Sequence, residues 1–184
     1  LSASVGVARK QGVLADFVES LALSAWRTGD SFGFVGCDST VRRELLLPQT
    51  RARGAGTALA ASLRALTLAG RSAEGLKQAH GHLPQRRALV FLVSDFHLPL
   101  ADVAAVLANL ALHDVQPVVL WPPGEFDLGA QHGFADVAEP ESGQRRWLWW
   151  RPALRQRWQA AAQERRAALV QLFQMSLLTT KISG

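Results

Sequence analysis

Arg87-Ala-Leu-Val-Phe-Leu-Val93, followed at once by Ser94-Asp95, is the stretch on which the fold turns. No polar position alternates within it, so it predicts a strand covered on both faces, as in a parallel sheet sandwiched by helices. Outward on the C-terminal side, residues 100–113 carry Val103, Val106, Leu107, Leu110 and Ala111 at helical spacing, and residues 115–121 form the next apolar run, broken by Pro122-Pro123. Residues 135–150 read as a hairpin with Ser142-Gly143 near its turn. Residues 152–175 predict a long helix with Leu154, Trp158, Ala161, Leu169, Leu172 and Phe173 inward, and residues 177–182 predict a closing strand.

On the N-terminal side, Leu14, Phe17, Val18, Leu21, Ala22, Ala25 and Trp26 mark one face of a helix over 11–27, which Thr28-Gly29-Asp30 stops. Residues 31–35 and 41–47 predict two short strands, the second closed by Pro48, with Cys37-Asp38-Ser39-Thr40 turning between them. Arg51-Ala-Arg-Gly-Ala-Gly56 reads as a flexible loop. Thr57 then opens a helix with Leu59, Leu63 and Leu66 on one side, and a further helix covers 73–82. Strands alternating with helices predict an α/β fold: a doubly wound, mostly parallel sheet with helices on both faces. With no internal linker, 1–184 is expected to be a single domain with the hairpin of about 135–150 inserted.

Composition narrows the function classes. The chain has 184 residues, 48% of them hydrophobic, which suffices for a sizeable core and argues against disorder. No apolar run reaches the length of a membrane span. The chain opens at Leu1 with no secretory leader pattern, which we read as a fragment boundary. One cysteine, Cys37, excludes an internal disulfide and a cysteine-rich zinc site. The net charge is +5, but its basic residues include only three lysines, and the pairs Arg42-Arg43, Arg86-Arg87, Arg145-Arg146 and Arg165-Arg166 are scattered. Scattered arginine predicts solvated surface rather than a nucleic-acid face. Trp147, Trp149 and Trp150 beside Arg145, Arg146 and Arg151 fit core or subdomain packing better than base stacking.

Ligands of open parallel sheets bind beyond the carboxyl ends of the strands. Three sets of polar residues occupy such places: Ser2 and Ser4, Thr57 after the glycine loop, and Asp95 after the most apolar strand. Leu1-Ser2-Ala3-Ser4 resembles the tail of the Asp-x-Ser-x-Ser motif of von Willebrand factor A-like (vWA) domains, without its leading Asp. Gly56-Thr57 and Ser94-Asp95 resemble that family's second and third loops. The run from Leu89 to Phe96, then His113-Asp-Val-Gln-Pro-Val118, then Glu139-Pro-Glu-Ser-Gly143 before a basic helix, resembles one bacterial branch: the domain-of-unknown-function family fifty-eight, associated with MoxR-type AAA+ ATPases. Thr179-Thr180 would lie on its last strand.

The resemblance implies a vWA fold whose first, central strand is missing from this fragment, lying between the 31–35 and 87–93 strands. It implies a metal-dependent adhesion site in which Ser2, Ser4, Thr57 and Asp95 contribute to a Mg²⁺ shell, weakened here because the leading Asp precedes Leu1. Mg²⁺ keeps several waters and takes few protein oxygens, leaving a position for a partner's carboxylate. The expected role is a non-enzymatic adaptor for a MoxR-type ATPase or its client, cytoplasmic, with any membrane tether upstream. Each residue has a plainer reading. Ser2, Ser4 and Thr57 suit helix N-caps, and Asp95 suits a cap of the following helix. The alternative functions are a phosphate-handling α/β enzyme or a basic nucleic-acid-binding domain. Against an enzyme, no Gly-x-Ser-x-Gly elbow surrounds any serine, and Arg53-Gly-Ala-Gly-Thr57 lacks the lysine of a phosphate loop.

Overall fold

The structure is a computed structural model. It describes the backbone of residues 2–66, 73–121, 133–138, 145–150 and 152–182, and the side chains of 10–66, 73–121, 153–154 and 156–175. The chain is mixed α/β. It divides into two compact units, Leu1–Leu83 and Pro84–Gly184, although no linker marks the division in the sequence.

The first unit is built on two packed helices and a hairpin. Helix α1 (Ser2–Thr28) ends where the helix period predicts. Gly29 takes φ +78°, its N–H bonds Trp26 O at 3.2 Å, and Asp30 N–H bonds Ala25 O at 2.8 Å. These two bonds close the last turn as a Schellman cap, which needs a left-handed residue. Helix α2 (Ala55–Ala65) buries Leu59, Ala60 and Leu63 against Ala15 and Val18 of α1 and against Leu45. Gly56 makes this approach possible: a Cβ there would lie 2.2 Å from the Ala22 Cβ. The glycine expected to loosen a loop is thus a close-packing residue inside the helix. At the other end of α2, the Gln11 side-chain amide donates to Leu66 O at 2.7 Å and to Leu63 O, which also takes the Leu66 N–H at 3.3 Å.

Strands β1 (Phe32–Cys37) and β2 (Val41–Thr50) pair antiparallel. Pro48 does not close β2 as the sequence suggested. Phe32 faces Thr50 and Phe34 faces Leu47, so β2 carries an extra residue there, and a bulge is a place where a residue without an N–H is tolerated. Residues 73–82, expected as an ordinary helix, form a 3₁₀ helix, Glu74–His82. Gly75 and Gly81 weaken the α-helix in so short a segment.

In the second unit, β3 (Leu89–Ser94) and β4 (Asp114–Val119) pair parallel, from Leu89 opposite Asp114 to Ser94 opposite Val119. Helix α3 (Leu100–Asn109) connects them and buries Val103, Val106 and Leu107. Arg87 forks onto Asp114 at 2.7 and 3.1 Å, tying the two strand starts. The expectation that β3 is covered on both faces is not met in this unit: Leu92 is buried, but Val90, Phe91 and Val93 are half-buried and Leu89 is exposed. β3 has a single neighbour, β4, among the described residues.

β5 (Gly133–Ala138) and β6 (Arg145–Trp150) form the expected hairpin, Phe134 opposite Trp149 and Asp136 opposite Trp147. Its turn, the 139–143 motif and Pro122-Pro123 lie outside the described residues, as do the hairpin's side chains.

Helix α4 (Pro152–Ile182) corrects the closing strand: residues 177–182, with Thr179-Thr180, continue the helix. No glycine or proline interrupts 153–182, and Leu177-Leu178 extends a helical stretch readily. Leu169 is the buried anchor of α4, whereas Trp158 and Ala161, expected inward, are exposed. The described strands therefore form three two-stranded sheets, one of them parallel.

Candidate functional site

Asp95 lies where β3 leaves the parallel pair, at its carboxyl end, and is half-buried. The backbone around it is held from several directions. Ser94 Oγ accepts the Phe96 N–H at 3.0 Å, closing a local turn. The Trp121 indole N–H donates to Asp95 O at 2.7 Å. Arg165 of α4 donates to Phe96 O at 2.6 Å and also to Leu98 O. Burial pulls the Arg165 guanidinium below its ordinary value. Phe96 takes φ +50° and is 1% exposed, with its ring edge-on to Phe173 of α4 at 5.1 Å between centroids. A non-glycine residue in that region is strained and persists only where its surroundings impose it. His97, next in the chain, is exposed.

Sequence reading found Asp95 but missed its supports. In the sequence Arg165 reads as one of several scattered surface charges. A signal existed: Arg165, Leu169 and Phe173 recur every four residues, which places the arginine on the same helix face as two inward residues.

The other expected site residues lie in the first unit, and the structure does not bring them together. Ser2 and Ser4 occupy the start of α1 rather than a loop before it. Positions two apart on a helix do not share a face. Their side chains are outside the described residues. Thr57 is exposed on the first turn of α2, whose N-cap is Gly54 and has no side-chain cap bond, so Thr57 does not begin or cap the helix. Its neighbour Gly56 touches Ala22, whereas Ser4 is nearer the opposite end of α1. That separation along α1 is about 27 Å at the α-helical rise. One octahedral ion cannot accept oxygens from Thr57 and Ser4 together in this arrangement. Asp95 does not cap α3, whose N-cap is Pro99 with no side-chain cap bond.

Three further groups bear on the alternatives. Arg53 stacks over Trp26, 4.9 Å from the ring centroid, so its guanidinium is engaged by an aromatic face. Burial first, and Asp38 second, push the Cys37 thiol up to about 11, which keeps it a thiol at neutral pH. Among the described residues no cluster of three or more His, Cys, Asp or Glu side chains is placed to hold a metal ion. None of the helices, over the described residues, is long and apolar enough to cross a membrane.

Comparison with known proteins places this geometry in context. The family model described as "Protein of unknown function DUF58" matches residues 2–168. A Paracoccus denitrificans protein described as "Uncharacterized protein in moxR 3'region" is 38% identical over 87 residues, which is 47% of this chain and 83% of that protein. No solved structure matches the chain.

Proposed function

The chain belongs to the family of proteins of unknown function DUF58, and from that premise we propose that it is a non-enzymatic binding domain working with a MoxR-type AAA+ ATPase. The observation that carries the reading is Asp95 at the carboxyl end of a parallel β3–α3–β4 unit, on a backbone tied down by Trp121 and by Arg165 of α4. That end of a parallel sheet is where such folds bind their ligands. A rigid loop loses little freedom on binding. The choice of partner is supported by the relative whose description places it in the moxR 3' region.

The finer reading is a vWA-like fold, in a cytoplasmic domain facing the ATPase. Mg²⁺ enters the proposal through Asp95 alone. A carboxylate suits a hard cation, and no step is routed through an ion.

The test is binding of the full chain to the MoxR-type ATPase of the same organism, followed by biolayer interferometry, with and without EDTA, for wild type and Asp95→Ala. Both EDTA and Asp95→Ala are expected to weaken binding about tenfold, equivalent to about 1.4 kcal/mol, and the variant should no longer respond to EDTA. Binding unchanged by the substitution would overturn the role of Asp95. Binding lost with Asp95→Ala but indifferent to EDTA would remove the cation and keep the loop.

A further inference from the structure

Outside the acidic side chain itself, the feature of the β3 exit that most needs a reason is Arg165. A long cation on α4 directs one nitrogen at two neutral carbonyls, Phe96 O and Leu98 O, across 69 and 67 residues of chain. Those two carbonyls bracket His97, and the first belongs to the residue with the left-handed backbone. α4 grips the same residue a second time through the Phe96–Phe173 ring contact. Trp121, after β4, takes the carbonyl one residue earlier. Three of the four carbonyls from Asp95 to Leu98 are therefore held by side chains from outside the loop, and Arg165 and Phe173, which grip Phe96, lie on one helix.

We propose that Arg165 is the positioning residue of the binding loop: by holding the Phe96 and Leu98 carbonyls it keeps Phe96 left-handed and so sets the direction in which Asp95 and His97 meet a partner. The inference rests on the proposed binding role of Asp95. Without the two bonds, Phe96 relaxes toward an ordinary backbone conformation, and the peptide that carries Asp95 turns with it. A charged donor on a carbonyl is stronger than a neutral one. Both acceptors are reached from one nitrogen, whose two N–H groups lie in the guanidinium plane. Lysine offers the charge as a point and cannot reproduce that planar geometry.

The experiment uses the full chain with Arg165→Met, Arg165→Lys and Asp95→Ala, and two readouts. The first is affinity for the MoxR-type ATPase. The second is the ¹⁵N–¹H indole resonance of Trp121, whose N–H reports on Asp95 O directly, with the Trp26 indole in the first unit as an internal reference. Arg165→Met is expected to shift the Trp121 indole signal and speed its solvent exchange, leave the Trp26 signal in place, and weaken binding about tenfold. Arg165→Lys should fall between Arg165→Met and wild type in both readouts, and it carries the test if the methionine variant does not fold. A Trp121 signal that does not move would show that Arg165 does not hold the loop. A Trp121 signal that moves with wild-type affinity, while Asp95→Ala loses binding, would overturn the positioning role alone. Wild-type affinity in Asp95→Ala as well would overturn the functional reading and this inference with it.

Discussion

Gly29 at the end of α1 and Phe96 after β3 both hold a left-handed backbone, at φ 78° and 50°, and they are kept there by opposite means. At Gly29 the conformation costs almost nothing, because there is no Cβ to clash, and two backbone bonds complete the helix cap. Nothing from elsewhere in the chain is needed. At Phe96 the conformation is unfavourable by itself and is imposed by Arg165, Ser94 and the burial of the ring against Phe173. The first is punctuation, written locally. The second is a tertiary construction, and constructions of that sort collect where a loop must present something.

The comparison breaks first at Phe96. Phe96→Ala removes a fully buried ring, and such truncations cost about 3–5 kcal/mol. Hydrogen exchange should show β3 and β4 losing protection while α1 and α2 keep theirs. A loss below about 1 kcal/mol would mean that the ring does not hold the loop, leaving the hydrogen bonds as its sole support.

Next in size is the first unit's own close contact. Gly56→Val puts a branched side chain where even a Cβ would lie 2.2 Å from the Ala22 Cβ. Overpacking of this kind costs about 1–3 kcal/mol. The urea midpoint followed by α1 and α2 exchange should fall, and Ala22→Gly in the same chain should restore part of it. Failure of that rescue would show that the two helices part rather than collide.

Gly29→Ala is smaller. A Cβ in the left-handed region costs about 1–2 kcal/mol, and the loss should be confined to fraying of the last turn of α1. The matched change in the second unit, Phe96→Gly, relieves the backbone but deletes the ring, so it should be worse than Gly29→Ala despite adding a glycine. If the two were equal, the backbone angle alone would decide both sites.

The same contrast explains what could be read in the sequence. The C-terminal end of α1, the strands β1 and β2, the buried face of α2, the β3–α3–β4 order and the β5–β6 pairing all follow from periodicity and turn residues, which act over a few positions. Pro48 escapes a local reading because its tolerance inside β2 depends on a bulge in the pairing with β1. Residues 177–182 depart from the expected strand because Leu-Leu-Thr-Thr-Lys-Ile, six residues with two β-branched threonines, suits either strand or helix, and here the helix from Pro152 simply continues. At the site, Asp95 was legible from its place after an apolar strand. Arg165 was not, because its bonds span most of the second unit. Thr57 matched a motif locally, but only the antiparallel packing of α1 on α2 shows which end of α1 it faces.

The smallest effect tests whether the first unit also has a turn held by side-chain charge. At the β1–β2 turn, Asp38 accepts the Thr40 N–H at 3.1 Å and pairs with Arg42 at 2.6 Å. The Arg42 hydrogen bond, more than any other contact, holds the Asp38 carboxyl below its usual value. A carboxyl depressed in the folded state stabilises above its unfolded value of about 3.9 and loses that contribution as pH falls through the lower folded value. Asp38→Asn keeps an oxygen for Thr40 and removes the charge. Wild type should therefore be slightly more stable than Asp38→Asn at pH 7, and the gap in urea midpoint should close as the pH drops below about 4. The pair is at the surface, where such bridges contribute little, so the gap at pH 7 is expected to be the smallest of the series. A gap that survives at pH 2 would assign the turn to hydrogen-bond geometry rather than charge, making Asp38 a local device like Gly29. A gap that closes on schedule would make it a weak, half-buried counterpart of the Arg165 clamp.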